Sequence, residues 1–221
     1  MYNVNEIFES IQGEGIFTGV PSVFIRLQGC PVGCPWCDTR HTWGALPTDE
    51  RNFETIISKT NDNSLWASIN ADIIALYVEQ NYSSKHVVIS GGEPCIYNLQ
   101  PLTWRLESSG YRCQIETSGT YPVKSSKDTW VTVSPKINMR GKLPVLKCVL
   151  QRANEIKHPV ATESDIEKLD TLLDGITLLD SIEITLQPIN QKSRATALCI
   201  KTCIKRNWRL SIQIHKYLNI I

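Results

Sequence analysis

Short apolar segments that each end in a turn rich in glycine, proline or serine alternate along this chain with segments of helical periodicity. This alternation is typical of parallel βα units, in which a helix outside the sheet follows each strand. The helices are fewer than a complete barrel requires. The sequence therefore predicts an α/β fold, an incomplete barrel of about six mainly parallel strands with helices outside. Strand-forming segments are predicted at residues 5–11, 21–28, 86–90, 112–116, 130–133, 182–186 and 208–214, helices at 53–58, 71–80, 99–108, 164–173 and 193–205, and within 145–160 a helix to 154 and then a strand.

The composition is that of a globular protein that acts on a small molecule. Of 221 residues, 42% are hydrophobic, and 23 basic residues against 22 acidic ones give a net charge of +1. Because this balance provides no basic surface, we expect neither nucleic acid nor membrane as a direct partner. No apolar run approaches the ~20 residues of a membrane span, and the first residues lack the pattern of a secretory signal, which predicts a cytoplasmic protein. We expect a single domain, 1–221, with a polar and irregular surface insertion at about 42–70.

Three of the eight cysteines, Cys30, Cys34 and Cys37, lie close together in a loop after a predicted strand. A closed zinc site or an ordinary cubane iron–sulfur cluster takes four protein ligands, so three thiolates leave one metal position open for chemistry. The residues also allow an alternative, since His41 could complete a Cys3His zinc site. The other cysteines are expected to be small buried core residues: Cys95, Cys113, Cys148, Cys199 and Cys203.

Two glycine-rich turns follow predicted strands. In Gln12-Gly13-Glu14-Gly15 the glycines allow the backbone to approach a ligand, with the Glu14 carboxylate and the Gln12 amide directed at it. The alternative is a plain hairpin turn. The second turn, Gly91-Gly92-Glu93-Pro94, follows Ser90, and its backbone can lie against an amino acid ligand. This second motif favours a catalytic metal centre over the zinc site.

Arg26 is an isolated charge within the apolar segment 21–28. A buried arginine without a partner is costly. Arg26 therefore either lies at a sheet edge and reaches water, or pairs with an anion in a pocket. Since the cysteine loop follows directly, we favour the pocket.

The spacing C-x3-C-x2-C, with Trp36 before the last cysteine and GGEP after a later strand, resembles the radical S-adenosylmethionine superfamily. In that superfamily three cysteines hold a [4Fe–4S] cluster, and S-adenosylmethionine chelates the open iron. The reduced cluster and S-adenosylmethionine generate a radical that abstracts a hydrogen too inert for acid–base chemistry.

Further segments narrow this resemblance to the 7-carboxy-7-deazaguanine synthase family, and together they span nearly the whole chain. The resemblance implies conversion of the pterin substrate 6-carboxy-5,6,7,8-tetrahydropterin to 7-carboxy-7-deazaguanine with loss of ammonia, on the route to queuosine. It also implies Mg²⁺, a homodimer and a one-electron reductant of the flavodoxin or ferredoxin type. The segments are FESIQGEG (8–15), FIRLQGC (24–30), WCDT (36–39), IETSGT (115–120), SPK (134–136) and QIHKYLNII (213–221).

The resemblance also implies a role for each site residue. Cys30, Cys34 and Cys37 would ligate the cluster, and Thr39 would ligate Mg²⁺. The S-adenosylmethionine site would comprise Trp36, Cys37, Asp38, Gly91, Gly92, Glu93, Ser118, Ser134, Pro135, Lys136 and Gln187. The substrate site would comprise Ile11, Gln12, Gly13, Glu14, Arg26, Ser90, His215 and the terminal carboxylate of Ile221. Ser90 stands where the family often has threonine, and it keeps the hydroxyl.

Structural interpretations remain for some of these residues. Asp38 and Ser118 could cap helices or turns, and His215 could lie on the surface. Glu116, at a predicted strand end, could be an ion-pair partner. His41, His86 and His158 are interpreted as structural. Two other functions also remain: another radical S-adenosylmethionine enzyme, such as an activase of a glycyl-radical protein, and a zinc-binding module without catalysis.

Overall fold

The computed structural model describes residues 1–218 and 220, and its main feature is a nine-stranded sheet. Strand order is β3-β1-β2-β4-β5-β6-β7-β8-β9, and every pair of neighbours from β2 to β9 is parallel. Only β1 runs antiparallel to its neighbours, β2 and β3. The strands are β1 Tyr2–Ile11, β2 Pro21–Leu27, β3 Ala67–Ile69, β4 His86–Gly91, β5 Arg112–Thr117, β6 Trp130–Val133, β7 Glu155–Val160, β8 Glu183–Pro188 and β9 Arg209–Leu210.

This sheet is open and mainly parallel, which confirms the predicted α/β class and incomplete barrel. The nine strands exceed the predicted count of about six: eight of them overlap the strand-forming segments predicted above, and the edge strand β3 is additional. The strand predicted at 208–214 was largely wrong: β9 covers two residues, and the chain then turns into a short helix.

Helices lie in the connections between most of the parallel strands, at nearly the predicted positions, whereas the connection from β5 to β6, all of it described, contains none. Asn70 caps α2 by accepting a hydrogen bond from the Ile73 amide, which explains why the helix begins there. No helix among residues 1–218 and 220 is long and apolar enough to cross a lipid bilayer. The α-helices are α1 Phe53–Ile57, α2 Ala71–Asn81, α3 Gln100–Ser108, α4 Lys147–Arg152, α5 Glu163–Leu173, α6 Ser193–Arg206 and α7 Ile214–Leu218.

Alternate residues of each strand point to opposite faces of the sheet, and the two faces differ in chemistry. Apolar side chains pack under the helices in two clusters, one around β1 to β5 and one around β6 to β8. On the opposite face lie buried polar side chains such as Gln114, Thr132 and Thr185. The core therefore lies outside the barrel, and the polar interior is left for a site.

The segment 42–70, predicted as an irregular surface insertion, takes part in the sheet. It contributes α1 and the edge strand β3, and Ile56 and Ala67 are each 1% exposed in the core. The helical turns near 53–58 were predicted. The edge strand was not, because three residues give little periodic signal.

Four of the five cysteines predicted to be core residues are buried: Cys95, Cys113, Cys199 and Cys203. Cys148 is exposed on α4, so the prediction was wrong for this residue.

Candidate active site

The carboxyl ends of the parallel strands surround one cavity of about 530 Å³. Parallel α/β folds place their ligand sites at this edge of the sheet. The predicted site residues that line the cavity are Ile11, Gln12, Gly13, Glu14, Arg26, Cys30, Cys34, Trp36, Cys37, Asp38, Thr39, Ser90, Gly91, Gly92, Glu93, Ser118, Ser134, Lys136, Gln187 and His215. Pro135 lies between two of them without lining the cavity, and Ile221 lies outside the described residues.

The cysteine loop is closed at its base by backbone hydrogen bonds. The Gly29 amide donates to Thr42 O at 2.7 Å, and the Cys30 amide donates to Trp43 O at 2.9 Å. Within the loop the Trp43 indole Nε1 donates to Cys37 Sγ at 3.3 Å. Burial raises the pKa of the Cys30 thiol to about 11, and burial also raises the pKa of Cys34. A metal centre that binds both thiolates would therefore displace their protons.

His41 does not support the zinc alternative. Among residues 1–218 and 220, one group of potential metal ligands lies within 4.8 Å of one another, and it joins His41 to Glu6 and Asp62 without any cysteine. The three thiols do not all lie within 4.8 Å of one another either, but all three line the cavity.

The paired glycines at the end of β4 pack directly against the cysteine loop. A Cβ atom on Gly92 would lie 2.2 Å from Gly29 O, and one on Gly91 would lie 2.2 Å from Leu27 O. The Glu93 amide also donates to Gly29 O at 2.8 Å. Only glycine fits at both positions, so the motif joins the cysteine loop to the end of β4 while its backbone lines the cavity.

Glu93 is almost fully buried at 1% exposure, and both its carboxylate oxygens accept hydrogen bonds from the protein. Oε1 accepts from the Thr117 hydroxyl at 2.6 Å and from the Cys95 amide at 3.0 Å. Oε2 accepts from the Ser118 amide at 2.8 Å and from the Ser118 hydroxyl. Glu93 therefore fixes the turn after β5 to the turn after β4. Ser118 takes part in this structural contact, which agrees with its interpretation as a residue that caps a turn.

Polar groups after β6 and β8 complete the wall opposite the cysteines. The half-buried Lys136 donates a hydrogen bond from its ammonium to the Ser134 hydroxyl, and desolvation lowers the pKa of Lys136. Gln187 accepts a hydrogen bond from the Ser211 hydroxyl at 3.0 Å, and that hydroxyl accepts from the Gly15 amide at 2.9 Å. This chain of contacts connects the end of β8 to the turn after β1.

The turn Gln12–Gly15 is a hairpin connection, and its residues Gln12, Gly13 and Glu14 also line the cavity. It joins the antiparallel strands β1 and β2. The Ile214 amide donates to Gly13 O at 3.0 Å, and a Cβ atom on Gly13 would lie 2.3 Å from His215 Nδ1. His215 thus packs on this turn and lines the cavity, rather than lying on the surface.

Arg26 lies at the cavity wall with an internal partner that the sequence did not predict. It stands opposite Glu6 in the β1–β2 register, and its Nε donates to the Glu6 carboxylate. Its guanidinium lies 5.4 Å from the centre of the Phe8 ring. On the other side β4 places Ser90 beside Arg26 in register. The predicted pocket position is correct, and Glu6 balances the charge.

The end of the chain is held to the cysteine loop. Lys216 Nζ lies 3.3 Å from both carboxylate oxygens of Asp38, and it donates to Gln213 Oε1 at 2.9 Å. Asp38 is therefore an ion-pair partner rather than a helix cap. Thr39 Oγ1 donates weakly to Gly91 O at 3.4 Å, which places its hydroxyl between the loop and β4.

Lys157 is a site residue that the sequence reasoning missed. It is 4% exposed on β7, and its Nζ donates to Glu14 Oε2 at 2.8 Å and to Glu116 Oε2 at 2.9 Å. Gln213 Nε2 also donates to Glu14, at 2.7 Å. Glu116 was interpreted as an ion-pair partner, which is confirmed. The signal for Lys157 was present, because it is an isolated cation in a strand, as Arg26 is.

Comparisons with known proteins agree with this site. A family model described as a 4Fe-4S single cluster domain matches residues 11–126. The chain is 58% identical to 7-carboxy-7-deazaguanine synthase of Escherichia coli (strain K12), with 99% of both chains covered. It is 35% identical to the protein of that name from Synechocystis sp., with 99% of this chain and 93% of the relative covered. The crystal structure of QueE from Escherichia coli superposes with a TM-score of 0.92 at 56% identity, covering 96% of this chain and 93% of that one.

Proposed function

This chain belongs to the 7-carboxy-7-deazaguanine synthase family of radical S-adenosylmethionine enzymes, and on that basis we propose how its residues perform the reaction. The reaction converts 6-carboxy-5,6,7,8-tetrahydropterin to 7-carboxy-7-deazaguanine with loss of ammonia, on the route to queuosine. The observation that supports it best is that the three thiols, the paired glycines and the turn Gln12–Gly15 line one cavity.

The donor set of the cysteine loop fits a [4Fe–4S] cluster with one open iron. All three thiols are free and line the cavity, while the other cysteines of the described chain are buried in the core or, for Cys148, exposed on α4. Cys30, Cys34 and Cys37 are therefore the proposed ligands. When bound, the cluster and S-adenosylmethionine supply the radical that abstracts a hydrogen atom from the substrate.

S-adenosylmethionine is assigned to the space between the cysteine loop and the ends of β4, β5, β6 and β8. The glycine backbone lets the methionine part approach closely, and the Lys136 ammonium at the cavity wall favours an anionic group of the ligand. The assigned residues are Trp36, Cys37, Asp38, Gly91, Gly92, Glu93, Ser118, Ser134, Pro135, Lys136 and Gln187. Glu93 and Ser118 act by holding the turns together.

The substrate carboxylate is assigned to Arg26. Glu6 occupies the Nε of Arg26, whereas the terminal nitrogens make no hydrogen bond to another residue of the described chain. That leaves the two-pronged edge of the guanidinium free for a carboxylate. The turn Gln12–Gly15 would bind the hydrogen-bonding edge of the pterin, and the assigned residues are Ile11, Gln12, Gly13, Glu14, Arg26, Ser90, His215 and Ile221.

The remaining assignments are supported by the family resemblance. Thr39 is the proposed protein ligand of Mg²⁺, because its hydroxyl is a hard oxygen at the cavity wall. A flavodoxin or ferredoxin type of protein would supply the electron. We also assign a homodimer, a single domain and a cytoplasmic location, the last in keeping with eight free cysteines.

An anaerobic reconstitution of wild type, Cys34→Ala and Cys148→Ala tests this function. We expect the wild type to bind about four irons per chain and to absorb broadly in the visible range. With 6-carboxytetrahydropterin, S-adenosylmethionine, Mg²⁺ and a reductant it should form the deazapurine. C34A should lose both the cluster and turnover, whereas C148A, which removes an exposed thiol outside the cavity, should match the wild type.

Product formation by C34A would refute the cluster assignment. A colourless wild type that holds one zinc would refute the enzyme function.

A further inference from the structure

At the floor of the cavity lies a group of charges in which Glu116, Lys157 and Glu155 have no chemical role in the assignments above. Lys157 bridges Glu14 and Glu116, and Glu155 lies two positions before it on β7 with 0% exposure. The ammonium of Lys136, after β6, is the other cation near Glu116. Three carboxylates therefore lie near the Lys157 ammonium, which bonds two of them directly.

The two carboxylates that Lys157 joins are in different environments. Glu14 accepts hydrogen bonds from both Lys157 and Gln213. Burial alone would raise the pKa of Glu14, but the Lys157 ammonium and these hydrogen bonds lower it to about 2. Burial raises the pKa of Glu116 to about 7, and the charges of Glu155 and Glu14 add to this against the opposing effect of Lys157. One carboxylate stays ionised, and its neighbour can gain or lose a proton near neutral pH.

Three other carboxyls of the described residues near the cavity, those of Glu93, Glu155 and Asp38, are held by other partners. Both Glu93 oxygens are held by backbone amides and hydroxyls. Glu155 accepts from the hydroxyls of Thr132 and Thr185, and it does not line the cavity. Asp38 is ion-paired with Lys216 near the surface. Glu116 lines the cavity and has the Gln114 amide and Lys157 as its hydrogen-bond donors.

We propose that Glu116 is a catalytic acid, which donates a proton to the nitrogen that leaves the substrate as ammonia. The proposal rests on the function proposed above, because that reaction must expel an amine. A neutral amine is a poor leaving group unless it is protonated as its bond breaks. Glu14 meanwhile stays anionic and binds N–H groups of the pterin, so two neighbouring carboxylates have separate roles.

The proton transfer balances without another reagent. The carbon–nitrogen bond breaks, its electron pair remains on the nitrogen, and the Glu116 proton completes ammonia. The Lys157 ammonium, 2.9 Å from Glu116 Oε2, stabilises the carboxylate that forms. The ring loses one proton as it becomes aromatic, and this proton returns Glu116 to its acid form.

The test compares reconstituted wild type, Glu116→Gln and Glu116→Asp. Loss of a general acid lowers kcat on the order of 10² to 10⁴-fold, so we expect that loss in E116Q with pterin affinity within about threefold of wild type. E116D should recover part of the rate. Because the acid form is active, wild-type kcat should fall as pH rises through about 7, and E116Q should lack this dependence. In an infrared pH titration of the reconstituted enzymes, the protonated-carboxyl signal that disappears near pH 7 should be absent from E116Q.

Glu155→Gln provides a second variant that leaves Glu116 in place. Removing the Glu155 charge lowers the pKa of Glu116, so the fall in kcat should begin at lower pH while the maximal rate is kept. This variant decides the question if E116Q does not fold.

An E116Q enzyme with a wild-type kcat and pH profile would overturn the proposal, as would weakened pterin binding at unchanged kcat. An unmoved pH profile in E155Q would also overturn it. Wild type that does not convert 6-carboxytetrahydropterin would instead refute the proposed function, and the infrared titration would still report on Glu116.

Discussion

Strand β5 places Cys113 and Ile115 among the apolar residues outside the sheet, whereas Gln114 and Glu116 face the interior of the barrel. Strand β7 does the same, with Ile156 outside and Lys157 inside. The two faces of one strand thus use different interactions. The outer face is stabilised by packing, in which apolar residues of similar volume can replace one another. The inner face is stabilised by pairing of charges, in which the loss of one partner leaves another unpaired.

The largest expected effect comes from removing the ammonium of Lys157, which pairs with two carboxylates on the inner face. Lys157→Met leaves the carboxylates of Glu14 and Glu116, whose side chains are only 19% and 17% exposed, without their ammonium, which should cost about 3–5 kcal/mol in the free energy of unfolding. Anaerobic urea denaturation of the reconstituted enzyme measures this cost. Pterin affinity should fall as well, because Glu14 loses the partner that keeps it ionised.

Lys168→Met is the matched control, since Lys168 pairs with Asp165 at 3.0 Å but is 47% exposed. It should change the free energy of unfolding by less than about 1 kcal/mol. Equal losses of unfolding free energy in the two lysine variants would show that the inner charge network contributes no more to stability than an exposed ion pair.

A smaller effect is expected at Gly13, which packs against His215 of α7. In Gly13→Ala the new Cβ atom would lie 2.3 Å from His215 Nδ1, so His215 must shift. Displacement of a site residue on this scale should weaken pterin binding by about tenfold. Titration of the reconstituted variant with the pterin measures the loss. Gly44→Ala, where a Cβ atom meets nothing within 4 Å, should bind like wild type.

The smallest effect is expected on the outer face. Ile115→Val removes one methyl group from a fully buried position, which should cost about 0.5–1.5 kcal/mol in the free energy of unfolding. Pterin affinity and the pH profile should not change, because Ile115 points away from the cavity. A shifted pH profile in I115V would mean that the two faces are not independent.

The outer face and the cysteine loop could be predicted from sequence, because both depend on local signals. Apolar periodicity located most of the strands, and close spacing identified Cys30, Cys34 and Cys37 as one set. The pairing of Lys157 with Glu14 joins residues 143 positions apart, and no local pattern specifies such a partner. The Glu6 partner of Arg26 was likewise missed, because it depends on the β1–β2 register. The last strand was overestimated because apolar residues near 208–214 fit both an edge strand and a turn into α7.

The contacts of Gln213 and Lys216 determine how late in synthesis the cavity can close. Gln213 bonds Glu14 across 199 positions, and Lys216 reaches Asp38 across 178. The ribosome emits the amino-terminal residues first, so the cysteine loop and the turn Gln12–Gly15 leave it long before the residues that complete their surroundings. The contacts that complete this wall of the cavity can therefore form only after Gln213 and Lys216 have left the ribosome, and until then the cysteine loop lacks its contact with Lys216.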